Sequence, residues 1–374
     1  MRELPDEIIR AEGVVLRPPR LSDADDIAAA CTDPAIQRYV PAVPSPYTRA
    51  DAVHYITEGR AAMRNAGGLA LVVADPATDR VIGSVGLHHV WAGDGLAEIG
   101  YWVAPWARGR GVATAATAAL AGWGHQHGLY RVELLAEAEN WPSQRVAIAA
   151  GFRREGVRRA GGRNRDGSRV DLVVWAHLAA DPPGPSPRSL PDLPGGVLTD
   201  GVVQLRPLWS GDVDDMFALR SLPESIESSV PPVAPDPVRL ARRCAESPSH
   251  WLAGERAELT VRDAASGAFA GDIGLFYQDQ LSSEAMIGYG LMPAFRGRGF
   301  ATRTVRLIAA WAFAQVGVAR LIAGTAPENV GSQRVLERAG FTREGYLRSR
   351  LPGVGGTRID DILWALLPGE LVED

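Results

Sequence analysis

Two short phrases hold the side chains most suited to chemistry. One runs from Arg108 through Gly109, Arg110, Gly111, Val112 and Ala113 to Thr114. The other, 188 residues on, runs from Arg296 through Gly297, Arg298, Gly299, Phe300 and Ala301 to Thr302. Each stands directly before a stretch that reads as helix. The first amide N–H groups of a helix have no intrahelical partner and carry roughly half a positive charge, which makes an anion site. Glycines there let the backbone turn and let a bulky phosphate come close. Arginines add charge and a fork of donors suited to a pyrophosphate. Other phosphate loops fit less well. No Lys-Ser/Thr pair follows the glycines, as a Walker loop requires, and the Gly-x-Gly-x-x-Gly fingerprint with its distant acid is missing from both copies.

The elements that must hold such a loop can be read from period and punctuation. Val14–Arg17 reads as a strand, followed by a helix that Ser22 caps and that opens on Asp23, Asp25 and Asp26. A second helical stretch spans about 49–65, and strands follow at Leu69–Ala74, Val81–Leu87 and Leu96–Val103. Gly111–His127 has helical spacing. Val132–Ala136 reads as a strand, Ser143–Ala150 as a short helix, and Phe152–Val157 with Val170–Leu178 as a closing hairpin. Strands interleaved with helices predict an α/β architecture with a mixed sheet.

The whole pattern then repeats at an offset of 188–189 residues. "EIGYWVAPWARGRGVAT" at 98–114 answers "MIGYGLMPAFRGRGFAT" at 286–302. "ENWPSQRVAIAAGFRREG" at 139–156 answers "ENVGSQRVLERAGFTREG" at 328–345. A period this long means two whole domains rather than a solenoid. Between them, residues 181–196 read DPPGPSPRSLPDLPGG, a linker that neither helix nor central strand can cross. The predicted organisation is therefore 1–180, linker 181–196, and 197–374.

Bulk properties narrow the class. A net charge of -5 argues against a general nucleic-acid binder, and all 39 basic residues are arginine. No apolar run reaches the ~20 residues of a membrane span, and the acidic N-terminal stretch lacks the apolar core of a secretory signal, so cytoplasmic residence is expected. Cys31 and Cys244 have no metal-ligand spacing and read as buried thiols; His88 and His89 lack a third ligand, so no metal site is expected.

The Arg-x-x-Gly-x-Ala loop, the Asn-x-x-Ser turn before a helix (Asn140 to Ser143, Asn329 to Ser332) and the following Gly-Phe (Gly151-Phe152, Gly340-Phe341) resemble the GNAT acetyltransferase superfamily. The Glu-Ile-Gly-Tyr-Trp strand at 98–102, answered by Met-Ile-Gly-Tyr-Gly at 286–290, and the Asn-x-x-Ser helix most resemble its ribosomal-protein-alanine (Rim-type) branch and the small-molecule relatives of that branch. The resemblance covers nearly all of 10–180 and 198–367. It implies two consecutive acyl-CoA N-acyltransferase domains, each a mixed, splayed central sheet flanked by helices. It further implies acetyl-CoA or another acyl-CoA as co-substrate, no metal, and direct attack of an amine on the thioester.

The resemblance implies roles for single residues too. The pantetheine arm would pair with the strand ending at Val103, or Leu291 in the second copy, and the pyrophosphate would sit on 108–114 or 296–302. Asn140 and Asn329 fall near the arm. Glu98 takes the position of a carboxylate that removes the amine's proton through water. Other branches place a tyrosine seven residues after the Asn; here Ala147 and Leu336 stand there, so Ser143 and Ser332 are left beside the departing sulfur, or the thiol leaves as thiolate. In the second copy Met286 replaces Glu98, and Glu284 lies two residues earlier on the same strand face, about 6–7 Å away. The first domain is thus expected to catalyse, the second to bind acyl-CoA weakly or serve as a structural partner.

The acceptor is expected to be an amine-bearing small molecule or peptide. Trp91, Tyr101, Trp102, Trp106 and Trp141 are candidates to line its apolar body, with Asp171 and Asp360 for its ammonium. The stretch 153–169 holds seven arginines, a solvated loop or a contact for an acidic acceptor. Protein N-terminal or lysine acetylation, and a silent acyl-CoA-binding regulator, remain as alternatives. Neither nucleic acid nor membrane is an expected partner, and a monomer or homodimer is expected.

Overall fold

The structure is a computed structural model that describes residues 4–372 apart from 92 and 280. The chain divides into two compact units, Met1–Pro187 and Arg188–Asp374. The division falls inside the predicted linker. Leu190 and Leu193, from the linker's second half, are buried in the core of the second unit, where Pro191 O accepts from Trp251 Nε1 at 3.0 Å.

In the first unit eight strands form one sheet: β1 (Ile9–Ala11), β2 (Val14–Arg17), β3 (Leu69–Ala74), β4 (Val81–Trp91), β5 (Leu96–Val103), β6 (Arg131–Glu137), β7 (Arg153–Arg163) and β8 (Arg169–Leu178). Their spatial order is β1-β2-β3-β4-β5-β6-β8-β7. Every neighbouring pair is antiparallel except β5 and β6, which run parallel. β3, reading LALVVA, is buried at every position, as a strand covered on both faces must be. β6 alternates instead, with Val132, Leu134 and Ala136 inward.

The helices of this unit are α1 (Ala24–Cys31), α2 (Pro34–Tyr39), α3 (Arg49–His54), α4 (Arg60–Asn65), α5 (Val112–Gln126) and α6 (Trp141–Ala149). α1 and α3 bury Ile27, Ala30, Cys31 and Ala52 against one face of the sheet around Trp102. α5 packs against β1, β4 and β5 and also meets α6.

Three details differ from the sequence reading. Ser22 does not cap α1: Leu21–Asp23 is a 3₁₀ turn, and Asp23 instead accepts from Arg20 N and from the buried guanidinium of Arg17 at 2.8 Å. The stretch 49–65 is not one α-helix, since a π-helical turn, Tyr55–Gly59, joins α3 to α4. Both β1 and α2 went unanticipated, being only three and six residues long.

The second unit has the same plan. Its strands are β9 (Leu198–Thr199), β10 (Val203–Pro207), β11 (Arg256–Asp263), β12 (Phe269–Asp279), β13 (Glu284–Leu291), β14 (Arg320–Thr325), β15 (Thr342–Pro352) and β16 (Arg358–Leu366), ordered β15-β16-β14-β13-β12-β11-β10-β9. Among the described residues β13 with β14 is again the one parallel pair. The helices are α7 (Val213–Arg220), α8 (Pro223–Ser228), α9 (Pro237–Leu252), α10 (Phe300–Trp311) and α11 (Val330–Ala339). Among the described residues no helix is long and apolar enough to cross a membrane.

Candidate functional site

The single parallel pair of each sheet creates the site. β5 and β6 are in register over only three pairs: Leu96 with Arg131, Ala97 with Val132, and Glu98 with Glu133. Beyond Glu98, β5 keeps β4 as its partner out to Val103, while β6 heads toward α6. β13 and β14 do the same over Glu284–Arg320, Ala285–Leu321 and Met286–Ile322. One edge of β5 is therefore open past Glu98, with main-chain groups that an extended chain can pair with, as in strand addition.

The Gly-rich loop lies at the mouth of this opening. Gly109 and Gly111 have φ of 73° and 76°, and Gly297 and Gly299 have 71° and 81°. All four are left-handed, where a side chain is strained. A Cβ built at any of them meets nothing within 4 Å, so the glycines satisfy the turn and leave open space in front of the backbone. Gly111 is the N-cap of α5 and has no side chain to occupy the first-turn amides of Val112, Ala113 and Thr114. α6 contrasts with it, since its N-cap Asn140 accepts from Ser143 N. Gly299 stands in the same way before Phe300, Ala301 and Thr302 of α10. An unsatisfied helix start with glycine clearance suits a phosphate.

The arginines divide the work differently from the sequence reading. Arg108 Nη2 lies 2.5 Å from Asp33 Oδ1, and its Nε donates to Val103 O at 3.3 Å. Asp33 caps α2 through the amides of Ala35 and Ile36. Burial pushes its carboxyl up, but Arg108 and those amides outweigh this and hold it below the usual carboxylate range. Arg296 likewise reaches Glu224 at 2.7 Å and Leu291 O at 2.9 Å. Both first arginines thus tie their loop to the end of the preceding strand, on the carbonyls of Val103 and Leu291. The second arginines are about half exposed. Arg110 is 3.6 Å from Asp75, and Arg298 lies over the rings of Phe295 and Phe300 at 5.2 and 5.1 Å.

At the other end of the opening the copies differ. Glu98 is half-buried, pairs in register with His88 on β4, and lies 3.2 Å from His89 Nδ1. Burial pushes the His88 imidazole down, against the pull of Glu98. The same register in the second unit joins Phe276 to Met286, so both the carboxylate and its imidazole neighbour are gone. Glu284 is bound to Arg320 Nε at 3.0 Å, in a cluster that Glu344 completes.

Ser143 and Ser332 each meet a tyrosine. Tyr101 OH lies 2.9 Å from Ser143 Oγ, and Tyr289 OH lies 2.7 Å from Ser332 Oγ. Burial pushes both phenols up to about 12. Asn140 Oδ1 and Asn329 Oδ1 accept from the amides of Ser143 and Ser332 at 3.4 and 3.0 Å. Ala147 and Leu336 are fully buried. The tyrosine–serine bond was missed from sequence, although "IGY" and "N-x-x-S" recur in both copies while their neighbours change.

Of the proposed acceptor residues, Trp91, Trp106 and Trp141 are exposed, whereas Trp102 is core. Asp171 accepts from Ala160 N, and Asp360 from Tyr346 OH and Ser349 N, which ties both to their hairpins. Within the arginine-rich hairpin, Arg158 pairs with Glu133 and Arg165 Nε donates to Gln37 O at 2.8 Å. Cys31 and Cys244 are buried, and among the described residues no cluster of His, Cys, Asp and Glu is able to hold a metal ion.

The family model for the acetyltransferase (GNAT) domain matches twice, at residues 14–153 and 203–342, and the chain belongs to this family. It carries two such domains in tandem. A Bacillus subtilis relative named "Probable N-acetyltransferase YjcK" is 42% identical over 83 residues, 22% of this chain and 45% of that protein. Bacillus licheniformis "Uncharacterized N-acetyltransferase p20" is 29% identical over 155 residues, 41% of this chain and 86% of that one. The chain spans about half the length of the Bacillus subtilis relatives it matches. Among solved structures, Mycobacterium smegmatis RimJ in complex with CoA-disulfide is 26% identical with a TM-score of 0.44, covering 50% of this chain and 92% of that one.

Proposed function

We propose that the chain is an acyl-CoA-dependent N-acetyltransferase whose chemistry resides in the first unit and whose acceptor is a primary amine of a small molecule or peptide. The observation that carries this reading is the uncapped, glycine-cleared start of α5 at the mouth of the splayed β5–β6 pair, with Glu98 at the far end of the same strand.

Acyl-CoA, when bound, supplies an activated thioester. The residues of the chain supply the rest. The amides of Val112, Ala113 and Thr114 hold the diphosphate, and Arg110 adds its charge once it leaves its 3.6 Å pairing with Asp75. The open edge of β5 pairs with the pantetheine arm, and Arg108 fixes the loop against that strand. Glu98 accepts the amine's proton through a water molecule, so the nitrogen attacks with a free lone pair. As the C–N bond forms and the C–S bond breaks, the nitrogen releases its remaining extra proton to solvent, and the Ser143 O–H donates to the departing thiolate, which takes up a proton from solvent afterwards.

The second unit keeps the cradle but has Met286 where the base belongs. It is read as a second acyl-CoA-binding domain without base chemistry. Glu284 does not replace Glu98 in this reading, because Arg320 holds it in a structural ion pair.

The test follows thiol release from acetyl-CoA against a panel of amines, amino acids and peptides. Glu98→Gln is expected to lower kcat by about 10²–10⁴-fold with little change in KM for acetyl-CoA. Full activity of Glu98→Gln would remove the carboxylate from the mechanism. An acceptor confined to protein N-termini or lysines would move the substrate class without moving the site.

A further inference from the structure

Resting on the role of Ser143 just proposed, we infer that Tyr101 is a positioning residue: its phenol donates to Ser143 Oγ and thereby commits the serine's single O–H to the thiolate of CoA.

The two groups come from opposite arms of the opening. Tyr101 lies three residues past Glu98, the last point at which β5 pairs with β6, and Ser143 lies in the first turn of α6, which follows β6. Their 2.9 Å contact therefore spans the place where main-chain pairing has stopped. The second unit repeats it at 2.7 Å, from Tyr289 to Ser332, with Val330 and Gly331 in place of Trp141 and Pro142. Retention of the pair while its surroundings change argues against a packing accident.

A serine hydroxyl is a free rotor with one hydrogen and two lone pairs. Left alone, it divides its hydrogen among several directions. The Asn140 side chain fixes only the serine's backbone, through the amide of Ser143. The phenol fixes the hydroxyl. With negative charge on sulfur, the serine O–H turns to it, and the phenol O–H is the group left to satisfy Oγ. Each bond then polarises the other, which strengthens the donor facing the sulfur. Burial keeps this phenol protonated, up to about 12, so it remains a donor across the physiological range. No proton leaves Tyr101 in this scheme; it orients rather than relays.

CoA itself is the probe, so no acceptor is needed. The full-length protein with bound CoA is titrated between pH 6 and 9, following thiolate absorbance. Cys31 and Cys244, pushed by burial up to about 12 and about 11, stay silent in that window. A hydrogen bond to a charged sulfur is expected to bring the bound thiol down by about one pH unit from the value that free CoA gives in the same buffer. Ser143→Ala should return the share of CoA bound by the first unit to the free value. Tyr101→Phe should undo most of the same shift, and the double variant should match Ser143→Ala alone.

A Tyr101→Phe titration that matches wild type, beside a shifted Ser143→Ala, overturns the inference while leaving Ser143 in place. So does a double variant in which the two effects add. A Tyr101→Phe protein whose first unit no longer takes up CoA overturns it too, since the phenol would then be building the site. If Ser143→Ala itself leaves the titration unchanged, the role of the serine falls and this inference falls with it.

Discussion

At the scale of single residues, the two copies form an internal control. Glu98, His88 and His89 occupy one end of the first opening, whereas Met286, Phe276 and Tyr277 occupy the matching positions of the second. The carboxylate proposed as the base is thus present once, and the left-handed glycine loop proposed to hold phosphate is present twice. The thiols give a separate check. Both cysteines are buried and held far above neutral, so neither should react with a thiol reagent at pH 8 in the folded protein, and both should react on denaturation. A rapid titration of one thiol under native conditions would contradict the core packing around α1 or α9. Much at this scale was legible in the sequence, because the loop glycines must be glycine for a backbone reason that spacing displays. The tyrosine–serine bond was not legible. It joins a strand residue to a helix residue 42 positions away, and no local period encodes such a meeting. The attachment of Arg108 to Asp33 escaped for the same reason, at a separation of 75.

At the scale of elements, the site is made by how strands part and how a helix begins. The three-pair parallel contact between β5 and β6 sets the width of the opening, and the left-handed Gly111 aims α5 at it. Gly111→Ala places a side chain at φ of 76°, where an L-residue costs about 1–2 kcal/mol, with no protein neighbour to clash with. The expected result is a loss of about that size in first-unit stability, together with weakened CoA binding there, read by chemical denaturation and by titration. Unchanged CoA binding would mean that the loop does not carry the diphosphate. Strands and long helices were legible from alternation and helical spacing, although β4 runs on to Trp91 and β7 to Arg163, four and six residues past the predicted ends. The short α2 and the π turn at Tyr55–Gly59 were not, since six residues cannot display a helical period and a π turn preserves the apolar spacing around it.

At the scale of the whole molecule, duplication explains the chain length and the repeated motifs, but the units are not chemically equal. His88 and His177 are both pushed down, chiefly by burial, while the matching positions in the second unit hold Phe276 and Leu366. A histidine whose folded value lies below its ordinary 6.5 binds protons less readily when folded. Its contribution is fully present above about 6.5 and is lost as the pH falls from there through the lower folded value. First-unit stability is therefore expected to decline between pH 7 and pH 5 relative to second-unit stability. Calorimetric scans of the full chain should show one transition moving down ahead of the other, and two transitions that shift in step would contradict this. Domain number and the repeat were plain in the sequence. The exact division was not, because Pro and Gly content announced a spacer, whereas Leu190 and Leu193 within it are core residues of the second unit.

The most direct measurement is calorimetric titration of the full-length protein with acetyl-CoA. The uncapped starts of α5 and α10 predict uptake at both units, with Gly111→Ala removing or weakening one of the two and leaving the other. Absence of uptake at either unit would contradict the reading of the loops as diphosphate cradles, and with it the enzymatic function built upon them.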